Sequence, residues 1–431
     1  MRDPMPNAFV AGAVDLPETE AQLVARRQRV LGPAYRLFYQ TPVHLVRGEG
    51  VWLYDPEGNA YLDTYNNVAS VGHCHPHVLA ATARQSALLA SHTRYLHDTV
   101  LSYAERLLSH FPSELCHVMF TCTGSEANDL AIRLARAATG GMGVIVTENA
   151  YHGVTAAVAE FSPSLGPGVP LGGHVRTVPA PDARLGDPAA TFTAHVQAAI
   201  DDLIRHGIKP AVLIVDTIFS SDGVFAAPAG FLQGAVDAIH AAGGLFIADE
   251  VQPGFGRTGD AMWGFARHAV LPDMVSLGKP MGNGYPVAGL VLQPHVVKDF
   301  GAKARYFNTF GGNAVAAATA MAVLDVVEGE GLQENARKVG AEFATALRGL
   351  TDPRLGDLRS AGLFLGLDIV TDGKPDAAMA ARIVNGLRDE RVLISATGPN
   401  GNVLKIRPPL VFGSAHVALF AERLERVLKR L

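Results

Sequence analysis

The chain has 431 residues, of which 48% are hydrophobic and 18% charged, a balance typical of a globular protein with a substantial core. Its formal net charge of -5 excludes a broad basic surface of the kind that binds nucleic acid or anionic lipid. Three cysteines are too few for a disulfide framework, so we expect a cytoplasmic protein. No apolar run reaches the ~20 residues of a membrane-spanning helix. Because the net charge provides no basic surface, we expect a small-molecule partner. The first thirty residues lack a signal-peptide pattern and end in a polar helix near Glu18 to Leu31.

Between about residues 115 and 330, short apolar runs alternate with helical patterns and predict an α/β domain with a mainly parallel sheet. The runs are rich in Val and Ile and nearly continuous, as in strands that are buried on both faces. The predicted strands are His117–Thr121, Val144–Thr147, Ala211–Thr217, Leu245–Asp249, Met274–Leu277 and Ala288–Leu292. The candidate crossover helices are Ser125–Ala138, Thr193–His206 and Phe231–Ala242.

After Gly331 the pattern changes to that of a smaller α+β domain. Its predicted elements are a helix (Leu332–Leu350), a strand (Leu363–Ile369), a helix (Asp376–Glu390), a short strand pair around Val392 and Val403, and a terminal helix from His416. The segment Val51–Asp63 reads as a hairpin that completes this domain. We therefore predict an N-terminal segment over residues 1–65 that contributes to the small domain, a large domain over residues 66–330 and a small domain over residues 331–431.

Several chemically reactive side chains follow the predicted strands. Lys279 ends one strand between Gly278 and Pro280, where partial burial would lower its pKa and favour a nucleophilic amine. Considered without its neighbours, however, this position also fits an ordinary solvated loop lysine. Asp249 ends a second strand and could hold a proton on a pyridine nitrogen, or merely cap a helix. The turn Thr121–Asn128 would present helix N–H groups to a phosphate, or form an ordinary capping box.

Three weaker motifs complete the candidate set. Tyr151, followed by His152 and Gly153, is an aromatic residue after a strand that could stack on a flat ring, and Asn308–Asn313 is a small polar turn ahead of a helix. The cluster His73–His77 suggests zinc, but its alternate residues point to opposite sides of an extended chain and its proline breaks any helix. We therefore expect no metal.

The order of these motifs, each at a strand end of one parallel sheet where ligand crevices form, resembles the class III aminotransferase family of fold type I pyridoxal-phosphate (PLP) enzymes. The resemblance runs from about Phe38 to the C-terminus. Asp249–Gly259 is close to a family signature, and Tyr61–Asp63 followed by Gly72–Pro76 is the usual opening. The resemblance implies a large, mainly parallel α/β domain with a smaller α+β domain, PLP as cofactor and a homodimer with shared active sites.

The resemblance also assigns roles to matching residues. Lys279 would carry the Schiff base and shuttle protons, Asp249 would pair with the pyridinium nitrogen, and Gln252 would donate near the ring hydroxyl. The remaining predicted cofactor contacts are Gly124 and Ser125 on the phosphate, Tyr151 and His152 at the ring, and Thr309 reaching the phosphate from the other subunit.

Further stretches are similar to the ethanolamine-phosphate phospho-lyase group within this family. They are Asn66–Pro76, Thr93–Asp98, Asn128–Arg136 and Arg305–Gly312. A phosphate leaving group needs cationic or N–H donors, and Arg94 is one candidate, although an exposed arginine that only covers apolar surface fits equally. Arg407 stands where the phospho-lyases carry Lys, and an Arg there resembles carboxylate-binding transaminases. Asp216 stands where many of these transaminases place a Glu that pairs with this Arg.

The sequence therefore predicts a PLP enzyme that eliminates phosphate from a small phosphorylated amino alcohol such as O-phosphoethanolamine. Elimination and transamination share the removal of a Cα proton and differ in whether a leaving group departs from Cβ. The alternative is an ω-aminotransferase that acts on an amine and a keto acid. A third and remote alternative is a PLP-binding protein without turnover.

Overall fold

The computed structural model describes residue 5 and residues 7–431. Its N-terminal segment contains helix α1 (Glu18–Leu31) and strands β1 (Arg47–Glu49), β2 (Trp52–Tyr54) and β3 (Ala60–Asp63). Strands β2 and β3 pair antiparallel, and the turn between them is held by Asp55, whose Oδ1 accepts from the backbone N–H of Asn59 at 2.8 Å. The predicted hairpin and the predicted helix near Glu18 are confirmed. No helix in the described part of the chain is long and apolar enough to cross a membrane.

The large sheet has seven strands in the order β4-β10-β9-β8-β7-β5-β6. Its strands are β4 (His117–Thr121), β5 (Gly143–Thr147), β6 (Val175–Val178), β7 (Pro210–Asp216), β8 (Leu245–Asp249), β9 (Met274–Leu277) and β10 (Ala288–Leu292). Strand β10 pairs antiparallel with β4 and β9, and the remaining strand pairs of this sheet are parallel. All six predicted strands are present. The short edge strand β6 was not predicted, because its sequence Val-Arg-Thr-Val gives only two apolar residues.

Helices cover both faces of this sheet. They are α2 (Pro76–Leu88), α3 (Asp98–Leu108), α4 (Gly124–Thr139), α5 (Ala156–Ala159), α6 (Pro188–Arg205), α7 (Gln233–Ala241), α8 (Pro294–Lys303) and α9 (Ala314–Gly329). Alternate strand residues enter different apolar cores: Leu213 and Phe246 lie in one core, whereas Ile214 and Ile247 lie in the other. Burial on both faces explains why these strands are apolar without alternation.

The C-terminal part contains helices α10 (Leu332–Arg348), α11 (Ala377–Asp389) and α12 (Ser414–Arg430). Its strands are β11 (Leu355–Ala361), β12 (Phe364–Thr371), β13 (Lys374–Pro375), β14 (Val392–Leu393), β15 (Ser395–Thr397) and β16 (Val403–Ile406). A sheet of order β11-β12-β16-β15 packs with the N-terminal hairpin around one apolar core that includes Leu62 and Phe343. The domain boundaries at residues 65 and 330 stay a prediction.

The predicted short strand pair around Val392 and Val403 is present as β15 and β16, but Val392 itself lies just outside this pair. Strand β14 instead pairs parallel with β3, with Val392 opposite Leu62, and β16 pairs with β12 and β15. The reason is burial: Val392 and Leu62 are both fully buried in the same core, so β14 extends the N-terminal hairpin. Strand β11, which has no fully apolar stretch, was also missed.

Candidate active site

The carboxyl ends of the parallel strands meet at one edge of the large sheet and surround a cavity of about 250 Å³, here called the inner chamber. Loops at this edge bring together most of the residues that the sequence analysis singled out. Those that line the inner chamber are Gly124, Ser125, Tyr151, His152, Asp216, Asp249, Gln252 and Lys279. The strand register places Asp216 directly opposite Asp249 on the neighbouring strand.

The carboxylate of Asp249 is held by three donors at the end of β8. Its Oδ2 lies 2.9 Å from Nδ2 of Asn128 and 2.7 Å from Nδ1 of His152, and its Oδ1 accepts from the backbone N–H of Val251 at 3.1 Å. Because the carboxylate is an acceptor, the shared hydrogen lies on Nδ1 of His152. Asp249 is only 4% exposed, so these hydrogen bonds keep a buried anion in a fixed orientation at the floor of the chamber.

Lys279 follows β9 and opens a short 3₁₀ turn over Lys279–Gly282. Its backbone has a φ of 27°, a value that non-glycine residues rarely adopt, and such strain is often found at functional positions. Burial and, to a smaller extent, the nearby positive charge of Arg407 together lower the pKa of its amine to about 8. The amine is therefore much more readily deprotonated near neutral pH than an exposed lysine, and it can act as a nucleophile and base.

The start of α4 forms a cradle for an anion. Thr123 caps the helix by accepting from the backbone N–H of Glu126 at 3.2 Å, and the backbone N–H groups of Gly124 and Ser125 in the first turn have no partner within the helix. A Cβ at Gly124 would lie 2.9 Å from Cγ2 of Val251, so only glycine leaves this approach open. The hydroxyl of Ser125 accepts from the backbone N–H of Val154 at 3.2 Å, which fixes it at the chamber wall.

A second cavity of about 560 Å³, here called the outer chamber, adjoins the first and shares Tyr151, Gln252 and Lys279 with it. Lys405 on β16 and Arg407 just after it both line this chamber, and each is only 7% exposed. No Asp or Glu is among the described residues that line it. Burial and the charge of Arg407 lower the pKa of Lys405, whereas the nearby carboxylates of Asp216 and Asp222 act in the opposite direction.

Arg407 is positioned by Gln252 and Tyr65. Its Nη1 donates to Oε1 of Gln252, and its Cζ lies 4.3 Å from the centroid of the Tyr65 ring. Nε2 of Gln252 donates to Oγ of Ser220 at 2.6 Å, and that hydroxyl donates to Oδ2 of Asp216. Asp216 therefore reaches Arg407 only through two intervening side chains, unlike the direct Glu–Arg pair that the family resemblance suggests for transaminases.

Two predicted site residues lie elsewhere in this protomer. Arg94 is exposed, with its Cζ 3.6 Å from the centroid of the Phe307 ring, and Thr309 is exposed nearby in the chain. Neither lines the inner or the outer chamber. Their predicted contacts with substrate and with the cofactor phosphate would need a second subunit, and they stay predictions.

The histidines of the cluster His73–His77 point to three different carboxylates. The Nε2 atoms of His73, His75 and His77 lie 2.7 Å from Asp63, 3.1 Å from Glu330 and 2.8 Å from Asp325, respectively. These contacts tie the start of α2 to β3 and α9 rather than to one another.

Several residues of the site were not predicted from the sequence. Asn128 could have been found, because it lies one helical turn after Gly124 and therefore on the same face of α4. Ser220 and Lys405 had no signal of their own, since their positions depend on contacts between segments that are distant in sequence. Val251 was quoted within a motif, but its contact with Gly124 needs the folded chain.

The inner chamber fits PLP. The amine of Lys279, the carboxylate of Asp249 and the N–H groups at the start of α4 are the groups that this cofactor needs for attachment, pyridinium pairing and phosphate binding. Tyr151 and Val251 line the chamber as flat and apolar partners for a ring. Nε2 of His152 is buried without a partner among the described residues, which is typical of a site that a ligand completes.

Known proteins agree with this geometry. The family model of Aminotransferase class-III matches residues 37–428. A phospholyase from Arthrobacter, solved in complex with phosphoethanolamine, is 43% identical, with a TM-score of 0.92 over 95% of this chain and 100% of that chain. An alanine–glyoxylate aminotransferase 2-like protein of Drosophila melanogaster is 40% identical over 91% of this chain and 84% of its own length. The ethanolamine-phosphate phospho-lyase homolog 1 of Caenorhabditis elegans is 35% identical over 95% of this chain and 94% of its own length. The chain therefore belongs to the class III aminotransferase family and is a PLP-dependent enzyme of fold type I.

Proposed function

We propose that this enzyme eliminates phosphate from a small phosphorylated amino alcohol such as O-phosphoethanolamine, giving acetaldehyde, ammonia and inorganic phosphate. The observation that carries the proposal is the charge of the outer chamber. Lys405 and Arg407 place an amine and a guanidinium next to Lys279, with no carboxylate among the described lining residues. Burial and Arg407 lower the pKa of the Lys405 amine, and a bound phosphate dianion favours its protonated form, so that the dianion pairs with two cations, whereas a carboxylate pairs with one.

The chain's own residues then account for the reaction. Bound PLP supplies an electron sink that acidifies the Cα proton of an attached amine. Lys279 would hold the cofactor through its amine and, once free, would take this proton on its Nζ, for which its lowered pKa suits it. Asp249 would pair with the protonated pyridine nitrogen of the cofactor, and His152 and Asn128 hold its carboxylate in place.

Lys405 and Arg407 act on the leaving group. The Cβ–O bond breaks with its electron pair going to the phosphate oxygen, and the two cations stabilise the charge that develops there. Water then converts the released two-carbon amine fragment to acetaldehyde and ammonia, so no oxidant, reductant or amino acceptor is consumed. The Arthrobacter phospholyase, with phosphoethanolamine bound, supports this substrate class for the present chain.

The second candidate function is an ω-aminotransferase that acts on an amine and a keto acid. It is favoured by the guanidinium of Arg407, whose planar fork suits a carboxylate, and by relatives named alanine–glyoxylate aminotransferase 2. A PLP-binding protein without turnover is the third, and it would be supported by an amine panel that leaves the visible absorbance of the bound cofactor unchanged.

We also propose that the enzyme is a cytoplasmic homodimer in which Thr309 reaches the partner's cofactor phosphate and Arg94 lies at its pocket mouth. The exposed apolar residues Tyr95, Leu96 and Phe310 beside these positions support a covered surface, since Leu96 is 96% exposed in a single protomer. Substitution of Phe310→Asp should give monomers in sedimentation equilibrium and loss of activity. A dimer that is unaffected by the change would count against this surface.

A panel of three matched amines tests the proposed reaction: O-phosphoethanolamine, ethanolamine and β-alanine, each with and without pyruvate. We expect inorganic phosphate, ammonia and acetaldehyde from O-phosphoethanolamine alone, without pyruvate. Formation of alanine from β-alanine and pyruvate, with no phosphate released from O-phosphoethanolamine, would favour the aminotransferase instead.

A further inference from the structure

A chain of three hydrogen bonds runs from a buried carboxylate to the outer chamber. It begins at Asp216, whose Oδ2 accepts from both the hydroxyl and the backbone N–H of Ser220, the latter at 3.1 Å. It continues from Nε2 of Gln252 to Oγ of Ser220 at 2.6 Å, and it ends where Oε1 of Gln252 accepts from Nη1 of Arg407. Asp216, Ser220, Gln252 and Arg407 are here called the relay.

The relay has a fixed direction because of its hydroxyl. Burial raises the pKa of Asp216, but Oδ1 accepts from the backbone N–H of Ile218 and Oδ2 from that of Ser220, so both oxygens are acceptors. A serine hydroxyl has one hydrogen, which therefore points to Oδ2 of Asp216. Only the lone pairs of Ser220 Oγ remain for Gln252, which must therefore turn its NH₂ group toward Ser220. The amide carbonyl is then left facing Arg407, as the structure shows.

This arrangement orients Arg407 without neutralising it. An amide oxygen is a neutral acceptor, so the guanidinium keeps its full positive charge, which a directly bonded carboxylate would have compensated. The described residues contain no carboxylate in an ion pair with Arg407, and Lys405 lies in the same chamber. The relay thus leaves Arg407 as an oriented cation beside Lys405 for an incoming dianion.

We propose that Ser220 is a positioning residue that sets the specificity of the outer chamber for a phosphate dianion, by holding the Gln252 amide with its carbonyl toward Arg407. The inference rests on the proposed function and deepens it by naming the residue that keeps the anion site charged and ordered. Without the hydroxyl, Nε2 of Gln252 loses its acceptor, so the amide is held only through its carbonyl and the position of the Arg407 guanidinium is less fixed.

The variants that test this inference are Ser220→Ala, Ser220→Thr and Asp216→Asn, each compared with Ser276→Ala. The first removes the hydroxyl, the second keeps it, and the third removes the acceptor that fixes its direction. Ser276 is the matched control, because its hydroxyl is also buried at the carboxyl-end region of the sheet but has no hydrogen-bond partner among the described residues.

The probes are inorganic phosphate, titrated calorimetrically into the holoenzyme, and O-phosphoethanolamine in steady-state kinetics. We expect Ser220→Ala and Asp216→Asn to weaken phosphate binding and raise KM about tenfold, with a smaller change in kcat and an unchanged visible absorbance of the cofactor. Ser220→Thr and Ser276→Ala should match the wild type. Thermal unfolding of each variant checks folding, and Asp216→Asn replaces Ser220→Ala if the latter does not fold.

Phosphate affinity and KM that stay within about twofold of the wild type in Ser220→Ala and Asp216→Asn would overturn the inference. If the wild-type enzyme releases phosphate from O-phosphoethanolamine in the same experiment, the proposed function stands and only the role of Ser220 is overturned. A wild-type holoenzyme that neither binds inorganic phosphate nor releases it from O-phosphoethanolamine would overturn both.

Discussion

Nδ1 of His152 lies 2.7 Å from Oδ2 of Asp249, and both side chains are almost completely buried. Asn128 donates to the same oxygen, so the carboxylate at the floor of the inner chamber has a fixed direction before any ligand binds. Such preorganisation lets a charge act on a ring nitrogen without rearrangement during the reaction.

Substitution of Asp249→Asn should abolish most of the activity while leaving the chamber's shape intact. An amide cannot hold a proton on the pyridine nitrogen, so we expect kcat to fall at least about 100-fold, which corresponds to ~2.7 kcal/mol of activation free energy. Asp222→Asn is the matched control, because this buried carboxyl bonds Thr147 and the backbone of Asn149 and lines neither chamber. Equal rates in the two variants would remove Asp249 from the proposed chemistry.

Attachment of PLP to Lys279 should depend on pH with a midpoint near the lowered pKa of this amine. Burial holds that pKa at about 8, so the nucleophilic free amine is scarce below this pH and dominant above it. The rate at which the apoenzyme regains the visible absorbance of bound cofactor should therefore rise through about pH 8 and level off well below pH 10.5. Borohydride reduction and peptide mass analysis should then locate the cofactor on Lys279. A label on any other lysine would refute the assignment.

Removal of the Lys405 charge should weaken substrate binding more than turnover. Lys405→Met keeps much of the side chain's shape, and we expect KM for O-phosphoethanolamine to rise roughly 10- to 100-fold, as for the loss of a charged hydrogen bond of 1.5–3 kcal/mol. Lys303→Met, at an exposed lysine paired with Asp299, serves as the control and should behave like the wild type. A KM that does not respond to Lys405→Met would argue against the outer chamber as the phosphate site.

The ion-pair network between α3 and α9 should stabilise the fold in a pH-dependent way. Burial alone would raise the pKa of Asp325 and Glu328, but hydrogen bonds from His77, Arg106 and His110 hold both pKa values below their usual range. This stabilisation is present above the unfolded carboxyl pKa of about 4 and is lost as the pH falls through the lower folded values.

The variant that tests this network is Arg106→Leu, with melting temperature as the readout. We expect a loss of ~1 kcal/mol at neutral pH that shrinks as the pH falls below about 4. The exposed pair Arg337–Glu334 provides the control, and Arg337→Leu should cause no measurable change. A destabilisation by Arg106→Leu that is the same at both pH values would show that the lost packing, not the charge, is responsible.

The sequence predicted those parts of the site that lie on one segment or at successive strand ends. Lys279 and Asp249 could be placed together because each ends an apolar run, and parallel strands end at the same edge. The relay could not be predicted, since Gln252 lies 32 residues from Ser220 and 155 from Arg407, and neither spacing implies contact.

The same limit explains the errors in the fold. Strand β14 has only two residues, so its pairing with β3 depends on a core shared by distant segments rather than on any local pattern. Strand β6 carries an exposed edge with few apolar residues, which gives no strand signal in the sequence.

The most direct test of the central claim is the stoichiometry of products from O-phosphoethanolamine in the absence of any keto acid. Elimination predicts that phosphate and ammonia appear together in a ratio of about one, over many turnovers per active site, because no amino acceptor is consumed. Amino-group transfer that stops after about one turnover, with no phosphate released and activity restored only by a keto acid, would contradict the account.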